Sequence, residues 1–182
     1  MINENMNDRL VWMDLEMTGL HAETDKILEI ATVVTDAQLN ILEQGPELVI
    51  RQPEEVLDKM NEWCKEHHGL SGLTEKVRQS TISIEQAETE TLTFLKKHVQ
   101  ECQAPLCGNS IHQDRNFISR HMPRLHDYLH YRNIDVSSIK ELSFRWYPAL
   151  PKFKKAGKHT ALEDIIESIE ELRYYRKSIF KA

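Results

Sequence analysis

WMDLEMTGL, residues 12–20, reads as a β-strand that runs into a glycine turn. In a strand, residues two apart project from the same face, so Asp14 and Glu16 point together out of an otherwise apolar run. Burying one unpartnered carboxylate costs several kcal/mol, and two like charges this close raise one pKa sharply unless a cation sits between them. No basic residue nearby in sequence neutralises both. A divalent ion such as Mg²⁺ or Mn²⁺, which favours carboxylate oxygen, resolves the conflict. For the D-x-E pattern alone, an edge strand with solvated acids is an equally good reading.

Working outward, the apolar run KILEIATVVTDA (26–37) and the segment LNILEQGPELVI (39–50) predict two further strands after the first. EEVLDKMNEWCKEHH (54–68) predicts one helix. Ser83-Ile-Glu-Gln86 has the form of a capping box ahead of the apolar stripe Ile84, Ala87, Leu92, Leu95 and Val99. APLCGNS (104–110) predicts a short buried strand, and QDRNFISRHM (113–122) a helix that stops at Pro123. RNIDVSS (132–138) reads as another strand, leading into the helix SSIKELSFRW (137–146), where Ser137 would serve as N-cap. A Pro- and Lys-rich loop, YPALPKFKKAGKH (147–159), precedes the last and longest helix. Three strands followed by alternating helices and strands predict an α/β sheet, its antiparallel hairpin edge joined to parallel strands. Ligands in such sheets gather at the carboxyl ends of the central strands.

Composition narrows the function classes. The 182 residues fit one α/β domain, expected to span 1–182. No apolar run approaches a membrane span, and the polar start MINENMNDRL lacks the features of a signal peptide, so a cytoplasmic address is expected. Cys64, Cys102 and Cys107 form no zinc-site or redox spacing. A formal net charge of −6 argues against coating long duplex nucleic acid, but a short anionic substrate held through metal ions stays open.

Two more acids extend the pattern. Asp114 stands at the opening of the helix after the Gly-Asn-Ser turn, where a helix-start acid is itself favourable. Thr160-Ala-Leu-Glu163 is a second capping box, which puts His159 at N′ and Asp164 at N4. Those two positions normally carry an apolar staple, so an imidazole and a carboxylate there favour a functional reading. Four carboxylates can hold two divalent ions for in-line phosphoryl displacement. A histidine with an unperturbed pKa of about 6.5 can take a proton from the attacking water.

WMDLEMTGL, GNSIHQDRNF and HTALEDI, in this order, resemble the three motifs of the DEDDh branch of the 3′–5′ exonucleases. DKMNEWCKEHHGLSGL, HMPRLHDYLHYRNIDVSSIKEL and RYYRKSIF extend the likeness, and nearly the whole chain is similar to the oligoribonucleases. The resemblance implies a ribonuclease H-like fold, a mixed five-stranded sheet flanked by helices. It implies a 3′-to-5′ exoribonuclease that degrades RNA fragments of about two to five nucleotides to 5′-mononucleotides. By the same resemblance Asp14, Glu16, Asp114 and Asp164 bind two divalent cations, Mg²⁺ or Mn²⁺, and His159 is the general base. Leu20 corresponds to a wedge between bases and Trp63 to a stacking surface, although after a Gly turn and on an amphipathic helix both also read as core. Ser110 corresponds to a phosphate contact. Tyr131, Arg132 and Ser137 correspond to groups supplied by the second subunit of a homodimer, Tyr131 with a catalytic role. Asp135 reads as a capping or orienting acid, and His112 stands where the family often has a small residue. A proofreading or tRNA-trimming exonuclease and a non-catalytic nucleotide-binding module are the alternatives.

Overall fold

In the computed structural model, residues 8–154 and 160–181 are described. The predicted leading strands are β1 (Leu10–Met17), β2 (Ile27–Thr35) and β3 (Ile41–Val49). Three helices follow, α1 (Glu54–Leu57), α2 (Glu62–Leu70) and α3 (Leu73–Gln79), and then α4 (Ile84–Leu95). The remaining elements are β4 (Leu106–Gly108), α5 (His112–His121), α6 (Pro123–Tyr128), β5 (Asn133–Asp135), α7 (Val136–Trp146) and α8 (Ala161–Ser178). The sheet order is β3-β2-β1-β4-β5. The first three strands pair antiparallel, and β1, β4 and β5 run parallel. The mixed five-stranded, helix-flanked sheet is the expected fold class.

The alternation in β1 sorts its side chains into two cores. Val11, Met13 and Leu15 join the larger apolar cluster, which includes residues of α4, α5 and α6. Trp12 turns the other way, into a cluster with Val136 of α7 and Ala161, Ile165 and Ile169 of α8. Its indole N–H donates to Thr35 Oγ1 at 3.0 Å, so the buried ring is satisfied. Asp14 and Glu16 share the parity of Trp12 and therefore lie on the α8 side. The acids that look misplaced in the core face the one helix that brings them company.

Two expectations are corrected. The single helix over 54–68 is two helices, because Asn61 caps α2 by accepting the Cys64 N–H at 2.8 Å. Helix α7 is capped by Asp135, which accepts the Ser137 N–H at 3.0 Å, so Ser137 lies inside the first turn with its hydroxyl free for other partners. The Ser83 and Thr160 caps stand as expected, accepting from the Gln86 and Glu163 N–H groups.

Candidate active site

Asp14, Glu16 and Asp164 each place a carboxylate oxygen within 4.8 Å of the others, in the expected acidic cluster at the carboxyl end of β1. Helix α8 delivers Asp164 because Thr160 caps it and Ile165, Ile169 and Leu172 fasten it to the sheet. Such a cluster of oxygen donors fits a hard divalent cation.

Asp114 is outside this group of three, although its charge acts on Glu16. It is 5% exposed, and its Oδ1 accepts the Leu15 N–H at 3.0 Å. Strand β4 pairs with β1 only at Val11 and Trp12, so the Leu15 amide extends past the shorter strand and needs this partner. Burial drives the Asp114 carboxyl well above the usual range. Glu16 is pushed up to about 7, first by burial and then by the charges of Glu29, Asp164 and Asp114. Burial and mutual repulsion raise both carboxyls, and a bound cation would relieve that strain.

Glu29 and His68 belong to the same neighbourhood and were missed from sequence. Glu29 is paired with Glu16 across β1 and β2, is buried, and accepts the Ala161 N–H at the start of α8. A lone acid in the apolar run KILEIATVV was the available signal. His68 is a buried residue of α2, with Nε2 donating to the Met17 carbonyl at 2.9 Å and Nδ1 3.8 Å from Glu16 Oε2. Burial lowers its pKa and favours the neutral ring. Nothing in its sequence neighbourhood separates it from an ordinary helix residue.

The two proposed base contacts are open to solvent. Leu20 is 68% exposed and Trp63 is 66% exposed, which sets aside the core reading of each. Trp63 stacks on His67, one turn along α2, with ring centroids 4.7 Å apart. The neighbouring His68 anchors that helix to the end of β1. The Leu20 turn is braced by Asp25, which accepts from Thr18 Oγ1 and the His21 N–H. A Cβ on Gly19 would meet Asp25 Oδ2 at 2.4 Å, so only glycine fits beside that brace. Gly19→Ala is expected to dislodge Asp25, displace Leu20 and raise the KM for a dinucleotide roughly tenfold, a loss of contact energy of ~1–2 kcal/mol. An unchanged KM with unchanged stability would remove the brace from the account.

Ser110 has a left-handed backbone, φ 51°. That strained turn is held by its N–H, which donates to Asp135 Oδ1 at 2.9 Å and to Ser137 Oγ at 3.0 Å. Ser110 and Ser137 hydroxyls are 3.2 Å apart within the one chain. They open onto a groove of about 530 Å³ that His112, Ser138 and Arg145 also line. His112 is exposed, its Nδ1 3.9 Å from Asp135 Oδ2. Asp135 is the capping acid expected of it.

Tyr131, 74% exposed, and Arg132 form a separate surface cluster with His130. The Arg132 guanidinium lies 5.3 Å from the Tyr131 ring. Arg115, beside Asp114, holds this segment through the His130 carbonyl and Asn133 Oδ1. His159 lies outside the described residues, as do Lys155 and Lys158 of the preceding loop.

The RNase T exonuclease family model matches residues 11–172. Over 176 residues the chain is 57% identical to the oligoribonuclease of Vibrio cholerae, covering 96% of this chain and 97% of the relative. The chain belongs to the oligoribonuclease family of exonucleases. Another family relative, the Homo sapiens oligoribonuclease described as mitochondrial, is 54% identical over 180 residues, which is 98% of this chain and 76% of that protein. As a member of this family the chain is a nuclease enzyme. Among solved structures, Escherichia coli exonuclease I in complex with a dA16 oligonucleotide superposes with a TM-score of 0.74 at 13% identity. The match covers 94% of this chain and 41% of exonuclease I, so the chain spans under half of that protein. The likeness shows the ribonuclease H-like fold. Among the described residues, no helix is long and apolar enough to cross a membrane.

Proposed function

We propose that residues 1–182 form a single 3′-to-5′ exoribonuclease domain that degrades very short RNA oligonucleotides to 5′-mononucleotides. The convergence of Asp14, Glu16 and Asp164 at the carboxyl end of β1 carries this reading. Asp14, Glu16, Asp164 and Asp114 would hold two divalent cations, Mg²⁺ or Mn²⁺. Bound there, the ions supply counter-charge to the phosphodiester and acidify the attacking water. His159 accepts the proton from that water, its imidazole titrating near neutrality. Leu20 wedges between the bases and Trp63 stacks on one of them, contacts that every base can make because each has a π-face.

Ser110 binds the substrate phosphate. A second subunit completes a homodimer and brings Tyr131, Arg132 and Ser137 to the fragment, Tyr131 with a catalytic role. Closing the groove in this way favours short chains by shape, without base readout or a basic track for long duplex nucleic acid. The proposed site of action is the cytoplasm.

A series of 5′-labelled RNAs from dimers to 20-mers, incubated with Mg²⁺, tests the assignment. Dimers are expected to turn over fastest, and His159→Ala to lower turnover by about 10²–10⁴-fold. Preference for 20-mers would favour the proofreading or tRNA-trimming alternative instead. Trp63→Ala is expected to raise KM roughly 10–100-fold, the scale of one lost base stack of ~1–3 kcal/mol.

A further inference from the structure

Glu171, two turns along α8 from Asp164, is 1% exposed and has no part in the proposed reaction. Its two oxygens are divided between partners. Oε1 meets Lys140 Nζ of α7 at 3.0 Å and accepts from the Tyr175 hydroxyl at 3.3 Å. Oε2 accepts from Asn109 Nδ2 at 3.2 Å. The same Nδ2 donates to Ser168 Oγ at 2.8 Å, whose own hydrogen goes to the Asp164 carbonyl.

An ionised carboxylate only accepts, and the Ser168 hydrogen is already committed, so both partners demand the amino side of the Asn109 amide. The amide oxygen is thereby turned toward α7, where it accepts from Ser137 Oγ at 3.0 Å. With its hydrogen directed at Asn109, Ser137 Oγ presents lone pairs to the Ser110 N–H and hydroxyl. Each bond fixes the direction of the next, from Lys140 and Glu171 through Asn109 to the strained Ser110 turn.

We propose that Glu171 is a positioning residue for the Ser110–Ser137 pair, acting through the orientation of the Asn109 amide. The proposal rests on the proposed contacts of Ser110 with the substrate phosphate and of Ser137 with the fragment. The relay lies within one chain, so the Ser110 and Ser137 that it orients belong to the same subunit. In Glu171→Gln, a glutamine that keeps its oxygen on Lys140 turns its amino group to Asn109. Ser168 still demands the amino side of Asn109, so the amide can no longer satisfy both neighbours and its hold on Ser137 weakens.

The test is steady-state kinetics on a 5′-phosphorylated RNA dinucleotide at saturating Mg²⁺, with the full chain. Glu171→Gln, Asn109→Ala, Ser110→Ala, Ser137→Ala and the double variant Glu171→Gln/Ser137→Ala are compared. Glu171→Gln and Asn109→Ala are expected to raise KM about tenfold and change kcat less than about twofold, the fold-change of one lost, oriented hydrogen bond. The double variant is expected to be no worse than Ser137→Ala alone, because both act on one chain of bonds. Multiplying effects, or a raised KM in the serine variants but not in Glu171→Gln, would overturn the positioning proposal alone. An unchanged KM in Ser110→Ala and Ser137→Ala would overturn the substrate contacts assigned to these serines and the proposal with them. If Glu171→Gln does not fold, Asn109→Ala and Lys140→Met carry the same expectations and the same contradicting outcomes.

Discussion

Glu16→Gln lowers dinucleotide turnover by about 10²–10³-fold, the usual scale for removing one group from a preorganised electrostatic site. The same substitution stabilises the chelator-treated protein. Glutamine keeps the shape of Glu16 and removes a charge that burial, Glu29, Asp164 and Asp114 all oppose. A carboxyl raised from 4.5 to about 7 carries on the order of 3 kcal/mol of penalty once ionised. Relief of that penalty at pH 8 raises the melting temperature by up to ~6–12 °C in a protein of this size. Activity assays and thermal melts on one preparation read both effects. Near-normal turnover, or a lower melting temperature without metal, would show that Glu16 is an ordinary structural acid.

Removing metal makes stability fall with rising pH. The sign follows from a folded-state pKa that lies above the unfolded value. Protonated Glu16 is favoured by the fold, so its contribution is present below about pH 4.5 and lost as pH climbs through about 7. Glu29 and Asp114 are raised by burial as well and act in the same direction. Melting temperatures of chelated protein should therefore decline between about pH 5 and pH 8. Millimolar Mg²⁺ should restore them most at the alkaline end, where the ligands are ionised. A chelated protein whose stability is flat or rises across this range contradicts the shared-charge picture of the site.

The residues that were readable in advance are those whose signal is local. The period-two pattern of β1 placed Asp14 and Glu16 on one face, and the Thr160 capping box placed Asp164 at the first turn of α8. The break at Asn61 was hidden because apolar residues keep helical spacing on both sides of it, while the N-cap acts through one side-chain bond. Glu29, His68 and Glu171 act on residues 13, 52 and 62 positions away, at Glu16 and Asn109. No local periodicity marks such partners, because sheet pairing and helix docking create them. Leu20 and Trp63 needed the fold for a different reason: only their exposure separates a substrate surface from a core side chain.

The central claim is that the acids at the end of β1 hold divalent cations. Crystals soaked in Mn²⁺ with a non-hydrolysable RNA dinucleotide, measured for anomalous scattering, test it directly. The expected result is a manganese peak coordinated by Asp14, Glu16 and Asp164. Full occupancy of dinucleotide with no anomalous peak at these carboxylates would contradict it.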